Sequence, residues 1–94
     1  MKSASARHIL VSEEKFCEEL KNKIIAGEDF AAVAKEHSMC PSGARGGDLG
    51  QFYPGQMVKE FDEVVFSEPV NEVHGPVKTQ FGFHVIQITE RSDS

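Results

Sequence analysis

This 94-residue chain is short of several things, and each absence excludes a class of function. No run approaches the ~20 apolar residues of a membrane-spanning helix. The opening MKSASARHIL lacks the apolar core of a secretory signal. Cysteine is scarce: Cys17 and Cys40 lie in unlike settings and suggest no disulfide framework. Free thiols and no signal together predict a cytoplasmic protein. Close ligand pairs such as C-x2-C or H-x3-H are missing, which disfavours a metal site. Basic residues are outnumbered, ten Lys and Arg against fifteen Asp and Glu, for a net charge of −5. That balance argues against nucleic acid and against anionic membrane surfaces. Repeats, low-complexity tracts and linkers are also absent, so residues 1–94 read as one domain ending in a loose tail. Small size and an acidic surface predict a monomer.

What is present suffices for one modest core, since a chain of this length buries roughly 60–65% of its unfolded surface. Residues 5–11, SARHILV, read as a strand. Ser12 is the expected cap of a helix whose Phe16, Leu20 and Ile24 define a buried face and which Gly27 ends. Asp29 is placed to cap a second helix, FAAVAKEHS. Pro41 and the glycines after it predict a loop over 40–50, followed by a brief strand at GQF and a turn at PGQ. MVKEFDEVVFS carries Met57, Phe61, Val64 and Val65 at helical spacing, with Pro69 beyond it. GPVKT and GFHVIQITE are β-branched runs that read as a hairpin. The order β–α–α–loop–β–α–β–β predicts an α+β fold with helices on a small sheet.

Period-two alternation aims two of the four histidines inward: His8 shares a face with Ala6 and Leu10, and His84 with Ile86 and Ile88. An unpaired buried imidazole costs on the order of 1–3 kcal/mol. Pairing His8 with His84, with a hydroxyl such as Thr79 completing the network, satisfies both. Two separately satisfied core histidines are the plainer alternative. His37, near a helix end, and His74, expected in a turn, have no such support. GARGGDLG has neither the Lys-Ser/Thr of a P-loop nor the G-x-G-x-x-G of a dinucleotide loop, so its glycines read as allowing positive φ and close packing. Arg45 and Asp48 are near enough in sequence for a local ion pair. Cys40 is either a small half-buried thiol or a nucleophile, and spacing alone assigns it no orienting partner.

Taken together, RHILV, DF…AKEHS, GGDLGQF, GQMVKEFDEVVF and GPVKTQFGFHVIQI resemble the parvulin family of peptidyl-prolyl cis–trans isomerases, with small single-domain bacterial members the nearest likeness. The motifs run in family order over nearly the whole chain. The resemblance implies a four-stranded, mostly antiparallel sheet enclosed by about four helices, with a shallow catalytic groove. It implies that His8 and His84 are the paired histidines, Cys40 the loop cysteine (aspartate in some members) and Thr79 the hydroxyl joining them. Leu49, Met57 and Phe61 match the apolar pocket for the proline ring, and Phe81 its rim. No cofactor is implied. The partners would be proline-containing peptides and unfolded proteins.

Elementary chemistry fits that assignment. The barrier to X-Pro rotation, roughly 20 kcal/mol, comes from amide resonance, so a catalyst must favour the twisted amide and break no bond. A thousandfold acceleration needs only about 4 kcal/mol of differential binding. Cys40 is accordingly expected to tune polarity rather than to attack. Some relatives read phosphoserine-proline through basic residues after the first strand. Here that stretch is VSEEKFCEEL, with four glutamates and one lysine, which repels phosphate and predicts neutral or apolar residues before proline. The alternatives are a parvulin-fold chaperone module with little catalysis, and a thiol hydrolase or oxidoreductase.

Overall fold

A computed structural model describes residues 2–92. Strand β1, Ser3–Val11, leads into helix α1, Glu14–Ile25, and helix α2, Phe30–His37. A 3-10 turn, Pro41–Arg45, precedes strand β2, Asp48–Phe52, and helix α3, Lys59–Val65. Strands β3, Val73–Thr79, and β4, Gly82–Ser92, close the chain as a hairpin. The sheet order is β2-β1-β4-β3, and every pairing is antiparallel. Three α-helices and the 3-10 turn surround this α+β sheet.

Local chemistry explains the ends. Asp29 accepts from the Ala32 N–H at 3.0 Å and starts α2 as expected. Ser12 does not cap α1: Glu13 holds that place in extended conformation, with no side-chain bond. Residues 40–50 are more ordered than a plain loop. Pro41 takes the first position of the 3-10 turn, where its missing N–H costs nothing, and Gly46 ends the turn at φ 71°. Helix α3 begins two residues after Met57 because Val58 is extended at ψ 153°. Both hairpin strands outrun their expected limits. His74 therefore lies in β3 opposite Ile86, and not in a turn. Pro76 follows a cis peptide at the irregularity between His74 and Val77, on an edge strand where no ladder donor is needed. Strand β4 continues through Ser92, and Asp93 and Ser94, on which the expected tail falls, lie outside the described residues.

Alternation along the strands divides the core. Ile9, Val11 and Val85 face α1 and α2, joining Leu20, Phe30, Val33 and Ala34. The α1 seam runs through fully buried Cys17 and Leu20, with Phe16 and Ile24 flanking it. Ala4, Ala6, Ile86 and Ile88 face α3, joining Phe52, Phe61 and Val65. His8 and His84 belong by alternation to this second face, so the period of the strands selects the side on which the site is built.

Candidate active site

The histidines meet through strand register. In the β1–β4 pairing His8 stands opposite Ile86 and Leu10 opposite His84, so the imidazoles are diagonal neighbours on one face. Their rings lie 5.1 Å apart and nearly parallel, with Nδ1 to Nδ1 at 2.9 Å. On the next strand, Thr79 Oγ1 lies 2.7 Å from His84 Nε2 and accepts from the Phe81 N–H at 3.1 Å. Phe61 of α3 packs edge-on against both rings, 5.4 Å from His8 and 5.7 Å from His84.

A short Nδ1–Nδ1 contact holds one proton, which orders the chain. Thr79, already an acceptor from Phe81, satisfies most groups by giving its hydroxyl hydrogen to His84 Nε2. His84 Nδ1–H then donates to His8 Nδ1, and the remaining hydrogen of His8 sits on Nε2. That Nε2 is buried and has no hydrogen-bond partner among the described residues. Burial, and next the neighbouring His84, hold His8 down to about 4. Burial also lowers His84. Both rings are therefore neutral at pH 7.

The glycine-rich stretch holds His8 in place. The His8 N–H donates to the Gly47 carbonyl at 3.0 Å, and a Cβ on Gly47 would stand 2.4 Å from the His8 carbonyl oxygen. Gly47 also has φ 86°, so only glycine lets the loop lie flush against β1 here. Asp48 accepts from the Gly50 N–H and makes no ion pair with Arg45 among the described residues.

Above the pair opens a cleft of about 500 Å³. It brings together His8, His84, Cys40, Leu49, Met57, Phe61 and Phe81. Thr79 is buried beneath them. The Cys40 thiol accepts from Ser42 Oγ at 3.4 Å, and no imidazole nitrogen is within hydrogen-bond reach of it among the described residues. Sequence reasoning missed Leu10, Met39, Pro41, Gln56 and Val58, which also line the cleft. Adjacency held a usable signal, because Met39 and Pro41 flank Cys40 and Leu10 shares the strand face of His8. The other two histidines stay apart: His37 packs edge-on against Phe16, and His74 Nε2 bonds the Pro69 carbonyl. Among the described residues, no three His, Cys, Asp or Glu side chains gather to hold a metal.

Comparison with known proteins gives one consistent result. The PPIC-type PPIase domain model matches residues 1–92. The chain is 52% identical over 87 residues to the foldase protein PrsA of Geobacillus kaustophilus, covering 92% of this chain and 31% of that protein. It is 49% identical over 89 residues to the PrsA of another Geobacillus strain, covering 94% of this chain and 32% of the relative. The chain thus spans about a third of the length of these curated relatives. The crystal structure of a PrsA peptidylprolyl isomerase from Bacillus anthracis superposes with a TM-score of 0.94 at 35% identity, covering 98% of this chain and 43% of that one. The solution structure of NmPin, the parvulin of Nitrosopumilus maritimus, superposes at 0.86 with 36% identity, covering 96% of this chain and 98% of that one.

Proposed function

This chain is a peptidyl-prolyl cis–trans isomerase domain of the PPIC-type family, the parvulins, and from that premise we propose that its cleft twists X-Pro bonds of flexible chains by non-covalent means. One observation carries the reading: the apolar wall of Leu49, Met57 and Phe61 shares an uncharged cleft with Cys40 and the neutral His8–His84–Thr79 chain. The wall takes the prolyl ring and fixes one side of the amide. The flanking carbonyl then rotates over the polar groups, which favour the twisted geometry through dipoles rather than charge. His8 and His84 act as a positioning pair whose hydrogen bonds keep the cleft floor in one arrangement. Phe81 forms the rim. Cys40 tunes polarity, a role its bond from Ser42 and the lack of an imidazole base beside it favour over nucleophilic attack.

Phosphate before proline is not required. No charged side chain lines the cleft among the described residues. The stretch after β1 exposes Glu13, Glu14, Glu18 and Glu19 against a single Lys15. A dianionic group would meet repulsion there and no partner. The substrates are proline-containing segments of unfolded or flexible proteins, and the domain acts as a monomer.

A protease-coupled assay on paired peptides, Ser-Pro and phosphoSer-Pro, tests the proposal. Accelerated isomerisation of the unmodified peptide is expected, with slower turnover of its phosphorylated twin. Faster turnover of the phosphorylated form overturns the charge argument. Binding of unfolded chains without acceleration of any X-Pro peptide turns the reading toward a holding module.

A further inference from the structure

We propose that Ser38 is a positioning residue for isomerisation: its hydroxyl ties the backbone of Cys40 to β1 and so fixes the thiol in the cleft. The inference rests on the isomerase reading above and adds to it a residue outside the cleft lining. Main-chain groups of a half-buried segment need partners. The Ser38 N–H closes α2 on the Ala34 carbonyl at 2.9 Å, and the Met39 N–H donates to the Leu10 carbonyl at 2.7 Å. The Cys40 carbonyl accepts from the Gly43 N–H at 2.9 Å. Pro41 confines Cys40 to extended backbone, φ −83° and ψ 142°. The Cys40 N–H instead meets a side chain, donating to Ser38 Oγ at 3.3 Å. The same oxygen accepts from the Leu10 N–H at 3.1 Å, so both of its lone pairs are used.

Strand register explains why a hydroxyl stands here. The β1–β2 ladder ends at Arg7 opposite Asp48, and the His8 N–H goes to the Gly47 carbonyl. Farther along β1, Ser38 Oγ and the Met39 N–H meet the two main-chain groups of Leu10 as a neighbouring strand would. Leu10 in turn stands opposite His84 in the β1–β4 pairing. One oxygen thus links the Cys40 backbone to the strand position across from His84. The far end of Cys40 is held separately, by the Ser42 hydroxyl on Sγ at 3.4 Å. Without the Ser38 hydroxyl, Met39 keeps its own backbone bond to Leu10. The proline wall is also kept, because Leu49 stands on β2 and Phe61 on α3. What loosens is Cys40. A group that faces the rotating amide acts on the twisted state, so the loss falls on kcat rather than on KM.

The test compares wild type with Ser38→Ala, Ser38→Thr and Ser38→Val. Threonine and valine share a shape, so their difference isolates the hydroxyl, and thermal unfolding establishes that each variant is folded. The first measurement is the rate at which iodoacetamide alkylates each cysteine, read by mass spectrometry. Cys17 is fully buried and reports global opening in the same molecule. Cys40 reacts about fivefold faster in Ser38→Ala and Ser38→Val than in wild type or Ser38→Thr, the factor expected for one lost hydrogen bond. Cys17 stays far slower than Cys40 in all four proteins. The second measurement is turnover of a proline peptide. Ser38→Ala and Ser38→Val lower kcat about fivefold with KM within about twofold of wild type, and Ser38→Thr restores kcat. Equal Cys40 rates in the Thr and Val variants, Cys17 reacting as fast as Cys40, or a rise in KM at unchanged kcat overturns the assignment. If wild type accelerates no X-Pro peptide, the isomerase reading falls and takes the role in turnover with it; the alkylation rates separate that failure from failure of the tether.

Discussion

The neutrality of the buried histidine pair has a measurable consequence for stability. Unfolded, His8 takes up a proton near the ordinary imidazole value of 6.5, whereas in the folded chain burial and His84 hold it down to about 4. Between those values the unfolded state binds more protons, so stability rises with pH. The His8 contribution is therefore complete above 6.5, is lost as pH falls, and is gone below about 4. Integrating the linkage relation from pH 7 to pH 4.5 gives a loss of about 2 kcal/mol from His8 alone. With a urea slope of about 1–2 kcal/mol per molar, the unfolding midpoint drops by about 1–2 M. Circular dichroism suits the assay, because the chain has no tryptophan. Urea titrations at pH 7 and pH 4.5 on wild type and His8→Leu isolate the contribution. The variant is weaker at both values, since His84 Nδ1 loses its partner at a cost of about 1–3 kcal/mol. Its unfolding free energy nevertheless falls less between pH 7 and pH 4.5 than that of wild type, by the His8 contribution of about 2 kcal/mol. An equal pH-dependent drop in variant and wild type would refute the argument, as would an NMR titration placing the His8 imidazole near 6.5.

Three further outcomes follow from the same geometry. Thr79→Val keeps the side-chain shape but leaves His84 Nε2 and the Phe81 N–H without their oxygen, so unfolding free energy should fall by about 1–3 kcal/mol; a change below about 0.5 kcal/mol in a urea melt would count against the hydrogen-bonded chain. Gly47→Ala combines a positive φ with a Cβ 2.4 Å from the His8 carbonyl oxygen, and it should destabilise by more than about 1 kcal/mol and reduce kcat/KM. Gly50→Ala is the control for that substitution, because a Cβ at Gly50 meets nothing within 4 Å and only the φ of 72° is strained. Cys40→Ser should retain measurable isomerase activity in the protease-coupled assay, whereas complete loss with an unchanged melting temperature would point to an obligatory thiolate.

Much of the site was legible in the chain because strand periodicity is a local property. Alternation placed His8 and His84 on inward faces, and the motifs around Cys40, Leu49, Met57 and Phe61 matched the parvulin pattern. The chemistry of Asp29 foretold its cap. Less legible were the places where two local choices compete: Ser12 yields the cap of α1 to Glu13, and the proline-glycine run forms an ordered 3-10 turn. Met39 was legible only as the neighbour of Cys40, since an isolated methionine carries no periodic signal of its own. Its place depends on a backbone bond to Leu10, 29 positions earlier in the sequence.

By itself, then, the sequence determined the order of α-helices and strands, the inward faces of His8 and His84, the acidic character of the stretch after β1 and the family. Tertiary structure alone decided that β1 and β4 are neighbours in the register that sets His8 diagonal to His84. From that pairing come the single shared proton and the burial that keeps both rings neutral. The physical reason is range. Side-chain direction repeats within a strand and can be read from a few residues, whereas hydrogen-bond partners, desolvation and cleft walls depend on segments some 76 positions apart in the chain.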